Sequence, residues 1–308
     1  MLFSKKALGI EICSDGARIA LVGGKPDMPS LTAFGTASFP ADTLKFSLRE
    51  VNVQNPTAFL AAMRELYHKL LTNVRQVSVS LPDSTGRAML LDVETRFKSR
   101  DEGCDIIRWK LKKNYPFDIN EAHLDYQVIQ EKETGGISLL VSLIAKPVVQ
   151  QYEDLLVEAG LEPNRIDFTT FNLCRLFAQR LELAENSLLI TCHSGVIGIL
   201  VFYDGMLGFC RAKELPGGIM EPNRIFREIN SSFLIYQEKH PGHSPVEAFC
   251  VYTGDDAEAF CNLVGEATGL EPVLLDVERV VARGNGPGVD RKTLLMLTAA
   301  LGAAARNL

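Results

Sequence analysis

The first hint of chemistry in this chain is a short stretch near its start, Leu8–Gly24, which reads LGIEICSDGARIALVGG. An apolar run carrying one carboxylate, Glu11, breaks at Ser14-Asp15-Gly16 and resumes as a second apolar run that contains Arg18. That pattern predicts two strands joined by a tight turn. A turn of short side chains and glycine can also bring backbone N–H groups close to a phosphate. Plain hairpin and phosphate turn both stand on the residues alone. The layout returns in the second half of the chain, where His193-Ser194-Gly195 interrupts the apolar run SLLITCHSGVIGILVFYDG.

Other chemical candidates are thinner. His193 has the side chain of a general base, but no nucleophile or orienting acid accompanies it in sequence, so a turn histidine is the better reading. His240 and His243, in KHPGHSP, are spaced as metal ligands can be; with no cysteine or carboxylate beside them they read as a solvated loop. The seven cysteines are scattered and form no C-x-x-C pair, as expected of reduced, buried thiols in a cytosolic protein.

The elements that must position these residues can be read from periodicity. A third strand is expected at Leu31–Phe39. Pro56 then opens a helix, PTAFLAAMRELYHKLL, with Phe59, Met63, Leu66 and Leu70 on one stripe, and QVSVSLP follows as a strand. This is a βββαβ opening, in which the helix serves as the crossover to a parallel pair. Arg87–Phe97 reads as a strand, Asp105–Lys113 as a helix, and Leu124–Ile129 with Ile137–Ile144 as a long hairpin. A helix from Pro147 to Gly160 stops at its glycine, and LEPNRIDFTTFNLCRLFAQRL adds a strand and one more helix. After the second hairpin, a turn at Asp204-Gly205 leads to a third strand, a helix spans Pro222 to Lys239, and AFCVYTG closes on Gly254. The same program has run twice, so the expected fold is α/β, with duplicated βββαβ lobes facing each other across a central cleft and an inserted α+β subdomain. The expected boundaries are 1–186 for the first lobe with its insert at about 87–147, and 187–308 for the second, whose last helix, about 291–306, packs back on the first.

Composition limits the partners. With 308 residues, 46% apolar and 23% charged, the chain can bury two ordinary domain cores. A formal net charge of −6 gives no reason to expect nucleic acid or an anionic membrane surface as a direct partner, since both attract basic patches. Arg108-Trp109-Lys110-Leu111-Lys112-Lys113 is the one dense basic patch, and its default reading is a solvated helix face. Lys5-Lys6 precede an apolar stretch that Glu11 and Asp15 interrupt too early for a signal-peptide core. The longest span without a formal charge, Ser187–Tyr203, is short for a membrane crossing. A cytoplasmic location is expected, with membrane contact only through partners.

Several phrases carry a family resemblance. GIEICSDGARIALV is similar to the first phosphate loop of the type IV pilus assembly PilM family, within the actin-like ATPases, which typically reads G-[IL]-D-I-G-S-S-S-V-K. IRWKLKKNYPFDINEAHLDYQVI resembles the same family's E-x-E-K-Y-I-P-F-P-x-E-E-x-x-x-D-Y-Q-V-L segment, and LIAKPVVQQYEDLLVEAGLEPNRIDF, LPGG, YQEKHPG and TLLMLTAALGAAARNL follow in family order. The resemblance implies an actin-like, ribonuclease H-like fold and ATP or ADP with Mg²⁺ as cofactor. It would place the nucleotide against Glu11, Ser14, Asp15, Gly16, Arg18, His193, Ser194, Gly195, Glu228, Gly254 and Asp255, with the metal on Glu11. The motifs depart from the family: its aspartate is Glu11, the following glycine is Cys13, D-x-G-x-x-x-T has become Thr191–Ile197 without a carboxylate, and the adenosine loop reads Thr253-Gly254-Asp255. Phosphoryl transfer depends on positioned charge and metal, so binding is expected to be weak or absent and hydrolysis weak or lost. The resemblance further implies a cytoplasmic scaffold of a type IV pilus or related type II secretion platform, binding the cytoplasmic tail of a PilN-like inner-membrane protein, with Tyr115, Pro116, Phe117, Leu124, Tyr126 and Val128 as candidate walls. The alternative is an active ATPase or small-molecule kinase of the same superfamily.

Overall fold

A computed structural model describes residues 5–26, 28–113, 118–133, 135–215, 221–282 and 288–308. Tyr115, Pro116 and Phe117, and Pro216-Gly217-Gly218 of the LPGG phrase, lie outside the described residues.

Three antiparallel strands open the chain, β1 (Ala7–Cys13), β2 (Gly16–Lys25) and β3 (Met28–Ser38). Helix α1 (Pro56–Lys69) begins where Asn55 accepts the Ala58 N–H and Pro56 occupies a position that needs no N–H. It buries Phe59, Met63 and Leu66 and crosses to β4 (Gln76–Leu81), which lies parallel to β1. A single 3-10 turn, Asp83–Thr85, leads into the insert: β5 (Gly86–Val93), α2 (Arg100–Leu111), β6 (Ala122–Glu131) and β7 (Ile137–Ala145). The insert is a three-stranded antiparallel sheet of order β5-β7-β6. Its helix starts earlier than periodicity predicts, because Ser99 accepts the Glu102 N–H and Glu102 reaches back to the Lys98 N–H. That is a variant of the capping box, four residues ahead of the first apolar turn.

The chain then returns to the first sheet through α3 (Lys146–Glu158) and β8 (Glu162–Phe168), and crosses to the second lobe by α4 (Thr169–Leu176) and α5 (Ala178–Leu181). Strands β9 (Ser187–His193), β10 (Val196–Tyr203) and β11 (Met206–Glu214), helix α6 (Pro222–Lys239) and β12 (Glu247–Tyr252) repeat the opening program. Helix α7 (Ala257–Thr268), capped by Gly269 in the left-handed region at φ 72°, connects to β13 (Pro272–Leu274). The two large sheets have the same order, β3-β2-β1-β4-β8 and β11-β10-β9-β12-β13. The duplication read from sequence is therefore a duplication of topology.

The final helix is broken into α8 (Arg291–Met296) and α9 (Thr298–Ala305). At the junction Thr298 turns its hydroxyl back to the Leu295 carbonyl, 2.6 Å away, which competes with the helical ladder and bends the chain. All eight residues of α9 are buried. An all-apolar helix needs cover on every side, and α9 finds it between α4 and the β1, β2 and β4 face of the first sheet. Glycines set the approach: a Cβ on Gly9 of β1 would sit 2.1 Å from the Ala300 carbonyl oxygen, and one on Gly302 1.9 Å from that of Asn172. One apolar core consequently runs from Ala20 and Val22 in the first sheet through α4 and α9 to Leu189, Leu200 and Phe249 in the second.

The expected outcome of Gly9→Ala is displacement of α9 from β1 and a loss of about 1–3 kcal/mol, read as a lowered urea midpoint at unchanged slope. An unaltered midpoint would mean that the helix does not set the approach.

Candidate functional site

The two hairpin turns meet at the floor of the cleft. In the first, Glu11 and Arg18 are direct cross-strand neighbours and Cys13 pairs with Gly16, leaving Ser14-Asp15 as a two-residue turn. Gly16 is required by close approach, since a Cβ there would lie 2.0 Å from the Ala37 carbonyl oxygen on β3. In the second, His193 pairs with Val196 around Ser194 and Gly195, whose φ values of 47° and 77° are both left-handed, as a two-residue hairpin turn of this kind demands. Superposing the registers sets Cys13 against His193, Ser14 against Ser194, and Glu11 against Thr191.

Across this junction runs one connected polar cluster. Glu11 is 1% exposed and His193 2%. His193 Nε2 is 2.5 Å from Glu11 Oε1. A carboxylate only accepts, so Nε2 carries the proton, and Nδ1 faces the Thr253 hydroxyl at 2.9 Å. Arg18 Nη1 stands 3.2 Å from Glu11 Oε2 as an ion pair without the alignment of a hydrogen bond, and donates to Ser194 Oγ at 3.1 Å. The other guanidinium nitrogen reaches both oxygens of Asp15, at 3.1 and 3.3 Å. The Ser194 hydroxyl lies 3.5 Å from Glu11 Oε1.

Charge balance explains why Glu11 tolerates burial. Desolvation alone raises its pKa, but His193 and then Arg18 outweigh it and hold the carboxyl below the ordinary glutamate value. Burial works against the Arg18 charge too, and Glu11 overcomes it. Burial, followed by the Glu11 charge, pushes the Cys13 thiol up, so that cysteine is an inert wall. Asp83, which sequence reading passed over, is partly buried and accepts the Thr170 N–H at the start of α4; burial pushes it up to about 6.

The residues present do not fit a metal-bound nucleotide. The one carboxylate at the metal position is already engaged by two side chains, and its structural counterpart, Thr191, carries no charge. The space directly among Glu11, Cys13, Ser14, His193 and Ser194 is about 20 Å³, room for about one water; a larger cavity of about 640 Å³ between the lobes, lined by Asp83, Arg87, Thr170 and Arg211, adjoins it at Phe46, Val196 and Glu214. No three His, Cys, Asp or Glu side chains among the described residues cluster as a metal site. At the expected adenosine loop, a Cβ on Gly254 would be 2.4 Å from the Tyr252 hydroxyl, and the Tyr252 ring stacks on Phe260 at 4.6 Å. Asp255 is exposed, and Glu228 is half-buried in the middle of α6; neither bonds to the Glu11 cluster. Of the expected nucleotide residues the structure thus unites Glu11, Ser14, Asp15, Gly16, Arg18, His193, Ser194 and Gly195, and leaves Glu228, Gly254 and Asp255 outside. Thr253, the partner of His193, was legible only as part of a loop.

A second concavity lies between the insert and the first lobe. It has a volume of about 430 Å³ and is walled by His123, Asp125 and Ser142 from the insert sheet, Glu153 from α3, and Arg165 and Asp167 from β8, with Arg306 at its rim. Among the described residues strand β8 ends its sheet and pairs with β4 alone, so its outer edge faces this groove. Arg306 bonds to Asp167, and Asn307 exchanges side-chain hydrogen bonds with Asn164. Of the expected walls, Leu124 is 8% exposed and belongs to the insert's core. The Tyr126 ring packs edge-on to Phe97 at 5.5 Å, and Val128 is exposed farther along the strand. Alternation along β6 turns Leu124 and Tyr126 toward α2 and presents His123 and Asp125 to the groove.

Two lobes of identical strand order, with paired hairpin turns meeting at the base of a cleft, define an actin-like protein. Comparison with known proteins agrees. The family model described as type IV pilus assembly protein PilM matches residues 9–220, and the chain belongs to that family. No curated protein sequence matches it. Among solved structures, the PilM-PilN type IV pilus biogenesis complex superposes with TM-score 0.82 at 18% identity over 98% of each chain. The cytoplasmic domain of EpsL, an inner-membrane component of the Vibrio cholerae type II secretion system, gives 0.52 at 14% identity over 96% of this chain and 94% of its own. A Bacteroides thetaiotaomicron protein with actin-like ATPase fold and unknown function gives 0.50 at 14% identity over 95% and 96%.

The cluster predicts a pH signature. Because the Glu11 carboxyl titrates below its ordinary value of 4.5 when folded, its contribution is complete above that value and is lost as pH falls toward and through the folded one. Asp83, raised to about 6, acts oppositely and cancels when a variant is compared with its parent. Glu11→Gln should therefore cost about 3–5 kcal/mol at pH 7, with the gap narrowing in urea titrations below pH 4.5. A gap that stays constant with pH would refute the charged pair.

Proposed function

We propose that this chain is a cytoplasmic scaffold of a type IV pilus or related secretion platform, that it binds the cytoplasmic tail of a PilN-like inner-membrane protein in the groove between β8 and the insert sheet, and that it has lost nucleotide hydrolysis. The observation that carries the reading is the 2.5 Å contact of His193 with Glu11. It joins the lobes where a family enzyme would hold its metal, using side chains alone. A static cleft suits a scaffold, since a preorganised surface loses less entropy on binding.

The groove has what an extended peptide needs. The free edge of β8 offers main-chain donors and acceptors, and side chains from two subdomains offer pockets. Glu153 and Arg165 line it, and neither makes an ion pair among the described residues. Both are available to read a tail's charges. His123 and Asp125 take the place that Leu124 and Tyr126 were expected to fill. In the solved complex named above, PilM is found with PilN; the same class of partner is assigned to this chain on the strength of the family and the groove.

The test is a titration of the purified chain with a synthetic peptide of the N-terminal tail of the membrane protein encoded beside it, and separately with a fluorescent ATP analogue with and without Mg²⁺. Micromolar tail binding, weakened about tenfold by Arg165→Glu, is expected, with no Mg²⁺-dependent nucleotide signal. Micromolar nucleotide binding that disappears in Glu11→Ala would reverse the reading, as would tail binding indifferent to Arg165.

A further inference from the structure

We propose that the C-terminal end of α2, centred on Trp109, docks on an anionic lipid surface. Trp109 is the only tryptophan in the chain, and it is 76% exposed. Burying a tryptophan in its own core was open to this helix, which buries Ile107 and Leu111 against the insert sheet. Instead Trp109 follows Ile107 by two residues, about 200° around the helix, and projects from the opposite face.

Its neighbours are cations. Lys112 and Lys113 are exposed and make no ion pair among the described residues. The Lys110 ammonium donates to the Asp92 carbonyl at 2.7 Å, which holds that charge at the sheet, and Arg108 pairs loosely with Asp105 at 3.5 Å. Between positions 105 and 113 the helix therefore carries four cations and one anion, on a protein whose overall charge is −6. An aromatic ring flanked by lysine and arginine is the side-chain set that settles at a membrane's headgroup level, with the ring among the upper chains and the cations on the phosphates. The acidic remainder of the surface is repelled by the same lipid, and that repulsion orients the patch inward.

Placement within the fold is consistent with this occupant. Helix α2 covers the core face of the insert sheet, and the groove assigned to a membrane protein's tail opens on the other face, one sheet thickness away. The inference draws on that assignment for its physiological strength: a weak lipid contact and a tail contact made by one body multiply through effective concentration. The lipid contact itself does not depend on it.

Because Trp109 is the sole tryptophan, the intact protein reports directly. Its emission is recorded during titration with vesicles of phosphatidylglycerol and phosphatidylethanolamine, and with vesicles of phosphatidylcholine alone, at low and physiological salt. A blue shift with the anionic vesicles only, diminished by salt, is expected. Reversing Lys112→Glu and Lys113→Glu together should weaken vesicle co-sedimentation about twenty-fivefold or more, at about fivefold or more per lysine. Trp109→Ala should weaken it several-fold. Both variants alter exposed positions and keep the parent's circular dichroism and tail-peptide affinity. Unchanged emission at low salt overturns the proposal, and so does emission that responds to the partner's cytoplasmic domain but not to lipid, which would mark a protein surface. A chain that fails to bind the tail peptide yet shifts its emission on anionic vesicles would remove the partner reading and leave this one standing.

Discussion

A carboxylate taken fully out of water must be compensated, and for Glu11 the compensation comes from two directions at once. Arg18 stands beside it on the same hairpin, while His193 comes from the other lobe. Desolvation of each ion costs several kcal/mol, recovered only when geometry is good and the remaining donors are satisfied. Opening the cleft would strip Glu11 of His193 and strip Arg18 of Ser194 together. The relative position of the lobes is thereby tied to the ionisation of one side chain.

A second link lies on the same face of the same strand. Glu11 ends its run at the cleft floor, whereas Gly9, two residues earlier on the same face of β1, receives α9. The polar junction and the shared apolar core thus use neighbouring positions of one strand. An ion pair sets a specific geometry and the apolar core supplies the bulk of the adhesion. Neither alone would do both: burial is non-directional, and a buried pair with poor packing around it would admit water and lose its strength.

Much of this was legible in the residues. Alternation, Pro56 and the recurrence of a three-strand hairpin program gave the lobes, because those signals are local and each element is long enough to show its period. The cleft turns were found because glycine and short polar residues punctuate apolar runs. What could not be read was which side chains the folding of distant segments would bring into contact. The duplicated halves were expected to face each other with both turns at one site, but no residue pattern says that Glu11 and His193 bond directly to one another there. On β6, period two separates Leu124 and Tyr126 from His123 and Asp125 but does not say which set meets α2; the apolar set was assigned to a partner when it was needed by the insert's own core. The break at Leu297–Thr298 turns on one hydroxyl's choice of carbonyl, a decision the Ala-rich pattern conceals.

The insert makes sense of the rest. A three-stranded sheet has two faces, and one helix can cover only one of them. Helix α2 takes the face bearing Leu124, Leu139, Val141 and Leu143, so the other, carrying His123, Asp125 and Ser142, must meet β8, α3 and solvent. That uncovered face is polar enough to remain wet and bounded enough to be a groove. Under the proposed function a partner occupies such a face, where its binding need not alter the angle that the Glu11–His193 contact sets between the lobes. Recognition and lobe geometry are then separable, as they cannot be in a protein whose ligand sits between the lobes.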